Sequence, residues 1–285
     1  MAYLFCIGFG YSARSLAALA MAQGWRVGGT TRAGGQVAGI ETLPYHTGEV
    51  SPALQQALAQ ATHILISIPL EERAMTAHAD VAALLKARSP LTWLGLFSTT
   101  GVYGDHKGGW VDETTPTHAT DARIARRIAD EQAWLAEVPT LPVHVFRLSG
   151  IYGEGRSAIE QVQSGHAKRI EKPNQFFSRI HVEDIARTVW ASMQKPRAGE
   201  IYNVADDLPT ASHEPITYAC ELLGVIPPPM IQYDPALLSP MAQSFYAASR
   251  KVSNKKVKEE LRVVLKYPSY REGLTAIAQA KGLLA

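Results

Sequence analysis

The run Tyr3-Leu4-Phe5-Cys6-Ile7-Gly8-Phe9-Gly10-Tyr11-Ser12-Ala13-Arg14 limits what this chain can fold into more than any other stretch. A short apolar segment enters a glycine turn and leaves with helical spacing (Leu16, Leu19, Ala20), and a second apolar run, Trp25 to Gly29, follows. Strand, turn, helix and returning strand make a βαβ unit. In such a unit Gly8 permits the tight turn, Gly10 removes the Cβ that would hold a pyrophosphate off the backbone, and Ala13 lets the helix lie close on the strand. An anion then rests on the first helical turn, at Tyr11, Ser12 and Ala13. Unpaired N–H groups and the positive end of the helix dipole stabilise it there without a cationic side chain. A plain strand–helix junction shares this short pattern, but the amphipathic helix and the returning strand favour a dinucleotide site.

Apolar runs recur between helical patterns, which is how a parallel sheet covered on both faces reads. About seven are present by the strand rule. They lie at Tyr3 to Ile7, Trp25 to Gly29, Leu43 to His46, His63 to Ile68, Thr92 to Ser98, Pro142 to Leu148 and Glu200 to Val204. Helical spacing covers Ser12 to Gln23, Ser51 to Gln60, Glu72 to Arg88, Asp121 to Glu137, Val182 to Gln194 and His213 to Leu223. The expected fold is α/β: a Rossmann-type doubly wound parallel sheet of about seven strands with a smaller C-terminal substrate lobe. Residues 1–155 form the dinucleotide-binding domain in this reading, its sheet also taking the strand near 200–204, and 156–285 form mainly the substrate lobe. Ligands of such sheets bind beyond the carboxyl ends of the strands, where Ser67 closes the fourth run.

The end of the second strand speaks to cofactor choice. Dinucleotide sites that prefer NAD usually carry an acid about twenty residues after the glycines. Here those positions read Thr30-Thr31-Arg32. A guanidinium offers charge-assisted bonds to a 2′-phosphate, so Thr31 and Arg32 point to NADP (NADPH); a solvated loop arginine is the alternative for Arg32. Net charge of +2 with 19% charged residues argues against a strongly basic nucleic-acid binder. No run approaches the ~18 apolar residues of a membrane span. Two cysteines, Cys6 and Cys220, make no disulfide framework, and nine histidines show no metal-ligand spacing, so no metal is expected. With no basic, apolar leader at its start, the chain is expected in the cytoplasm. The basic run Arg250 to Lys258 reads as a solvated helix face, and Pro227-Pro228-Pro229 opens a stretch to Ala248 that forms a flap on the substrate side.

Further along stand Phe97-Ser98-Thr99-Thr100-Gly101-Val102-Tyr103-Gly104-Asp105 and Asp112-Glu113-Thr114-Thr115-Pro116. Then come Arg147-Leu148-Ser149-Gly150-Ile151-Tyr152-Gly153-Glu154-Gly155-Arg156, Arg179-Ile180-His181-Val182-Glu183-Asp184-Ile185-Ala186 and Ile201-Tyr202-Asn203-Val204-Ala205-Asp206-Asp207. With the glycine turn, this series resembles the extended and atypical branches of the short-chain dehydrogenase/reductase superfamily over nearly the whole length. In detail it is most similar to atypical members of the epimerase/dehydratase-like kind. The resemblance implies that Thr99, three residues before Val102, polarises a substrate carbonyl or hydroxyl; a strand-end threonine bonded to backbone is the alternative. It also implies a substrate lobe beginning after Tyr152, with Thr100, Arg156 and Arg179 as candidates for binding the substrate and its anionic group.

The family's Tyr-x-x-x-Lys pair is missing: Ala122 stands at the tyrosine position and Arg126 at the lysine position. Arg126 can donate to ribose hydroxyls or be solvated, but Ala122 cannot move a proton. Another acid must serve if the chain is an enzyme, Tyr103 first and Asp121 second. Phe177 stands where the family carries an arginine four residues before His181, which weakens the case for a substrate pyrophosphate. His181 reads as a structural residue tying loop to helix. Two functions remain: an NADP-dependent oxidoreductase, epimerase or dehydratase on a small polar, sugar-like substrate, or a non-catalytic NADP(H)-binding redox sensor or partner-binding protein. Expected partners are a small-molecule substrate, with neither nucleic acid nor membrane, and a homodimer is left open.

Overall fold

The structure, a computed structural model, describes residues 1–69, 77–87 and 91–284. Six strands come first or pair first: β1 (Tyr3–Ile7), β2 (Arg26–Thr31), β3 (Gly35–Val37), β4 (Ile40–Pro44), β5 (His63–Ile66) and β6 (Trp93–Thr99). With β8 (Val143–Leu148) and β12 (Ile201–Val204) they form one eight-stranded sheet in the order β12-β8-β6-β5-β1-β2-β4-β3. All described neighbours are parallel except β3, which runs antiparallel to β4. The sheet therefore exceeds the expected seven strands by β3. Its residues Gly35, Gln36 and Val37 form no apolar run, because a hairpin edge strand in solvent needs no buried side chain.

Helices α1 (Tyr11–Ala22) and α6 (Val182–Gln194) pack on one face around Leu16, Ile185 and Val189, with Trp93, Phe97 and Phe146 from the strands. Helices α2 (Pro52–Gln60), α3 (Ala77–Lys86) and α4 (Ala122–Leu135) cover the other around Leu54, Val81 and Trp134. The helix expected over 72–88 is described only as α3; residues 70–76 and 88–90 lie outside the described residues. The apolar stripes predict these faces because residues three and four apart share one side of a helix.

A third apolar cluster joins α5 (Ala158–Gln163), α7 (His213–Leu222) and α10 (Tyr270–Ala280) through Ile159, Ile216, Tyr270 and Leu274. Serines cap two of these helices, Ser157 and Ser269, each in a reciprocal capping box with the acid three residues on. Small parallel pairs knit the rest: β7 (Trp110–Val111) with β14 (Lys251–Val252), β9 (Gly150–Tyr152) with β11 (Arg179–His181), and β10 (Arg169–Glu171) with β13 (Met230–Gln232). The stretch after Pro229 forms β13, a 3-10 turn over Pro235–Leu237 and α8 (Pro240–Tyr246). In the basic run, α9 (Lys255–Glu260) pairs Lys255 with Glu259, Lys256 with Glu200 and Lys258 with Asp207. Those lysines are matched by local acids, as a solvated helix face requires. Among the described residues no helix is long and apolar enough to cross a membrane.

Two buried histidines make stability depend on pH. His63 packs tilted against Trp25 with ring centroids 4.4 Å apart, and burial pushes its pKa down to about 4. His181 caps α6, its Nδ1 accepting from the Glu183 amide, and burial likewise pushes it down to about 4. The unfolded chain takes up these protons first, near pH 6.5, so the stabilisation is full above that pH and is lost as pH falls toward 4. Each group contributes up to about 3 kcal/mol on this basis. Asp206, raised to about 7 by burial, contributes with the opposite sign, its effect fading as pH rises from 4 to 7. The His63→Phe variant is therefore expected to lose less stability than the parent between pH 6.5 and 4, by up to about 3 kcal/mol in urea unfolding. Parallel curves for the two proteins would refute the assignment.

Candidate active site

Gly8 sits at φ +92°, and a Cβ there would lie 2.7 Å from Ile68 Cγ2 and 2.9 Å from Ile68 N. Only glycine fits this turn. Its amide donates to Thr30 Oγ1 at 2.9 Å, and Phe9 N donates to the Thr30 carbonyl at 2.7 Å, so the turn is pinned to the end of β2. Ser67 donates its hydroxyl to the Gly8 carbonyl from the end of β5, which makes it a support of the turn. Gly10 caps α1 in an extended conformation, no side chain caps the helix, and a Cβ on Gly10 would meet nothing within 4 Å. Open space therefore faces amides that have no intrahelical acceptor. A dinucleotide pyrophosphate fits this cradle: it needs close backbone approach and N–H donors, and both are present.

Arg32 follows β2 directly and is exposed. Thr31 is committed elsewhere, its Oγ1 accepting from Gly34 N at 2.9 Å and lying 3.2 Å from Thr42 Oγ1. The NADP expectation therefore concentrates on Arg32. Tyr11 reaches away from the turn, donating to the Glu154 carbonyl at 2.9 Å in the loop after β9.

Beyond the carboxyl ends of β6 and β8 lies a cavity of about 1080 Å³, lined by Ser98, Thr99 and Thr100 on one strand end and by Leu148, Ser149 and Gly150 on the other. Parallel register sets Thr99 beside Leu148. Thr99 Oγ1 accepts the Gly101 amide at 3.0 Å, opening a 3-10 turn over Thr100–Tyr103. Thr100 is buried, its hydroxyl 3.5 Å from the Leu148 carbonyl. Ser98 Oγ and Ser149 Oγ are buried without a described partner. Asp121 is also in the lining, where Oδ1 caps α4 by accepting from Ile124 N at 2.8 Å. The lining takes Arg123 and Ile124 from the same helix, and neither Ala122 nor Arg126 is among its described residues.

Two expected roles change. Tyr103 is fully buried, its hydroxyl donating to Asn203 Oδ1 at 2.7 Å and accepting from Arg147 Nη1 at 3.0 Å. It does not line the cavity, so it is not the proton donor. Burial raises its pKa, which opposes any acid role further. Arg179 lines the cavity but is largely engaged: Nη1 donates to the Phe177 carbonyl at 3.0 Å and Thr210 Oγ1 at 2.8 Å, and Nη2 to the Ala211 carbonyl at 3.3 Å. Arg156 is exposed on the same wall. Sequence reasoning missed Arg250, which lines the cavity with Nη1 donating to the Gly104 carbonyl at 2.8 Å. It sat inside a basic run in which Lys255, Lys256 and Lys258 form ion pairs and Lys251 lies over the Phe176 ring, and only its place before β14 sets it apart. Among the described residues no cluster of three metal-ligating side chains occurs.

The doubly wound sheet, the glycine turn opening onto a helix N-terminus and the cavity over the strand ends define a Rossmann-type, dinucleotide-dependent protein. The NAD dependent epimerase/dehydratase family matches residues 8–205, and the chain belongs to it. A nicotinamide dinucleotide is accordingly its cofactor class. The Escherichia coli K12 protein YeeZ is 28% identical over 239 residues, which is 78% of this chain and 84% of YeeZ. Among solved structures, a functionally unknown conserved protein from Silicibacter pomeroyi DSS is 46% identical, with 99% of each chain covered and a TM-score of 0.89. The human epimerase family protein SDR39U1, solved with NADPH, shares the fold at 18% identity, with 98% and 99% coverage and a TM-score of 0.72.

Proposed function

We propose that the chain is an NADPH-dependent oxidoreductase of the epimerase/dehydratase kind, acting on a small anionic molecule held over Thr99. The observation that carries this reading is the bonding of Thr99: Oγ1 accepts the Gly101 amide at 3.0 Å, which leaves the hydroxyl hydrogen to donate into the cavity. A substrate carbonyl oxygen there is polarised, and the bond strengthens as negative charge develops on that oxygen. The turn at Gly8 and Gly10 and the first amides of α1 would hold the cofactor pyrophosphate, with Arg32 on the 2′-phosphate. When bound, the nicotinamide supplies or accepts the hydride. The walls carry Arg123, Arg156, Lys168, Arg179 and Arg250, while Asp121 is a helix cap and Glu160 is paired with Lys281, so an anionic substrate balances the charge. With no phenol at position 122, the proton comes from solvent through the Thr99 hydroxyl.

A non-catalytic NADP(H)-binding protein is the second reading, favoured by Ala122 together with the burial of Tyr103. The experiment is a screen of NADPH oxidation against carbonyl compounds and nucleotide sugars, after cofactor binding has been measured. With an active compound in hand, Thr99→Val is expected to lower turnover by about 10²-fold and leave NADPH affinity unchanged. Full turnover by that variant would remove Thr99 from the chemistry, and NADPH binding without turnover of any compound would favour the second reading. Calorimetric titration tests Arg32: the parent is expected to prefer NADPH over NADH, and Arg32→Ala to lose about ten- to a hundredfold for NADPH alone. Equal affinities in the parent would refute the NADP preference.

A further inference from the structure

The cavity wall has two chemical poles. At one, Arg250 donates from Nη1 to Gly104, while its Nε is shut off from solvent with no described partner. No ion pair to Arg250 occurs among the described residues within 4.0 Å. Asp105, whose charge acts on Arg250, spends Oδ1 on the amides of Lys107 and Ser249, at 3.0 and 2.8 Å. Gly104 closes the 3-10 turn that Thr99 opens. At about 2 Å of rise per residue, the anchor of Arg250 lies within about 10 Å of Thr99.

At the other pole, the lining contributed between Ser212 and Ala248 carries no charged side chain. Leu237 is 65% exposed and Phe245 is 55% exposed, although both face the cavity. Leu238, Ala242 and Ile170 extend the same apolar patch, which Ser212, Ser239 and Tyr246 interrupt and Lys168 borders. Large apolar side chains left in water around a cavity mark a surface completed by a ligand. A nucleotide would leave Leu237 and Phe245 wet.

We propose that the substrate is an amphipathic anion, with a carboxylate or phosphate at Arg250 and an alkyl or aryl portion against Leu237 and Phe245. The inference rests on the cavity being the substrate site of the reading above. Charge complementarity fixes one end of the ligand and the exposed apolar side chains Leu237 and Phe245 fix the other.

The test uses the full chain, with and without saturating NADPH. The fluorescent probe 1-anilinonaphthalene-8-sulfonate is bound and displaced by decanoate, decyl phosphate, decanol, inorganic phosphate and UDP-glucose. Decanoate or decyl phosphate is expected to displace it at concentrations at least tenfold below those needed for decanol, phosphate or UDP-glucose, and the better of the two identifies the head group. Leu237→Ser and Phe245→Ser, both at exposed positions that folding does not need, should each weaken the better ligand about tenfold. Arg250→Met should remove its advantage over decanol. Displacement by UDP-glucose at lower concentration, or amphiphile affinities unchanged by the exposed-site variants, overturns the proposal. NADPH titration of the same samples is scored separately: loss of cofactor binding with amphiphile binding intact would sink the dinucleotide reading and leave this site standing.

Discussion

Replacing Gly10 with valine is expected to weaken NADPH binding by about 10³-fold while the protein still folds. Gly10 has an extended backbone that any residue adopts, and a Cβ there meets no atom within 4 Å, so the fold has no steric objection. The cost to stability is that of a poor helix cap, about 1 kcal/mol. The valine methyls instead occupy the space over the α1 amides, where a pyrophosphate must approach. Losing two charged hydrogen bonds worth about 2 kcal/mol each gives about 10³ in affinity. Gly8→Ala should do the reverse, lowering stability by about 3 kcal/mol because its φ is +92° and its Cβ would press on Ile68. Calorimetric titration and urea unfolding of both variants separate the effects. Parent-like NADPH affinity in Gly10→Val would show that the dinucleotide does not lie on this turn.

Arg147→Met should lower the free energy of unfolding by about 3–5 kcal/mol, the usual result of leaving a buried charge without its partner. Arg147 Nη2 lies 2.8 Å from Glu131 Oε2, with Nε at 3.2 and 3.3 Å from the two carboxylate oxygens, and both residues are buried. Burial works against the charge on Arg147, but Glu131 outweighs it and holds the pKa up. Because Arg147 also carries Tyr103, and Tyr103 carries Asn203, one substitution disturbs β8, β12, α4 and the 3-10 turn under Thr99 together. Converting the pair to Arg147→Met/Glu131→Leu is expected to restore most of the loss, since desolvation offsets much of the gain from a buried ion pair. Chemical denaturation of the parent, the single and the double variant decides the matter. A single variant within 1 kcal/mol of the parent would refute the account.

Local pattern carried the strands and helices that bury one face, and it carried the glycine turn, because both depend on residues close together in the chain. It failed at β3, a three-residue strand with Gly35 and Gln36 exposed, which pairs only because β4 is already in the sheet. Tyr103 failed for a related reason. Its partners Arg147 and Asn203 are 44 and 100 residues away, and no local signal joins them. A signal did exist in each partner alone: an arginine in Val-His-Val-Phe-Arg-Leu and an asparagine in Ile-Tyr-Asn-Val are polar residues in buried strands, which must find hydrogen bonds inside. The place of Thr99 at the cavity mouth was legible because a strand end over a parallel sheet is already a ligand position. Arg250 was not, since its place in the cavity wall is set by Gly104, 146 residues away in the chain.

Side chains at the free margin of β12 bear on how copies of the chain can associate. The Glu113 carboxylate accepts the Asn203 amide at 2.7 Å, and Asn254 Nδ2 donates to the Ala205 carbonyl at 2.9 Å just beyond the strand. These bonds use backbone groups that an outer strand would otherwise present to a neighbour. At the opposite margin β3 is only three residues long and antiparallel, a poor template for another chain. Strand addition is thus disfavoured at both margins of the eight-stranded sheet.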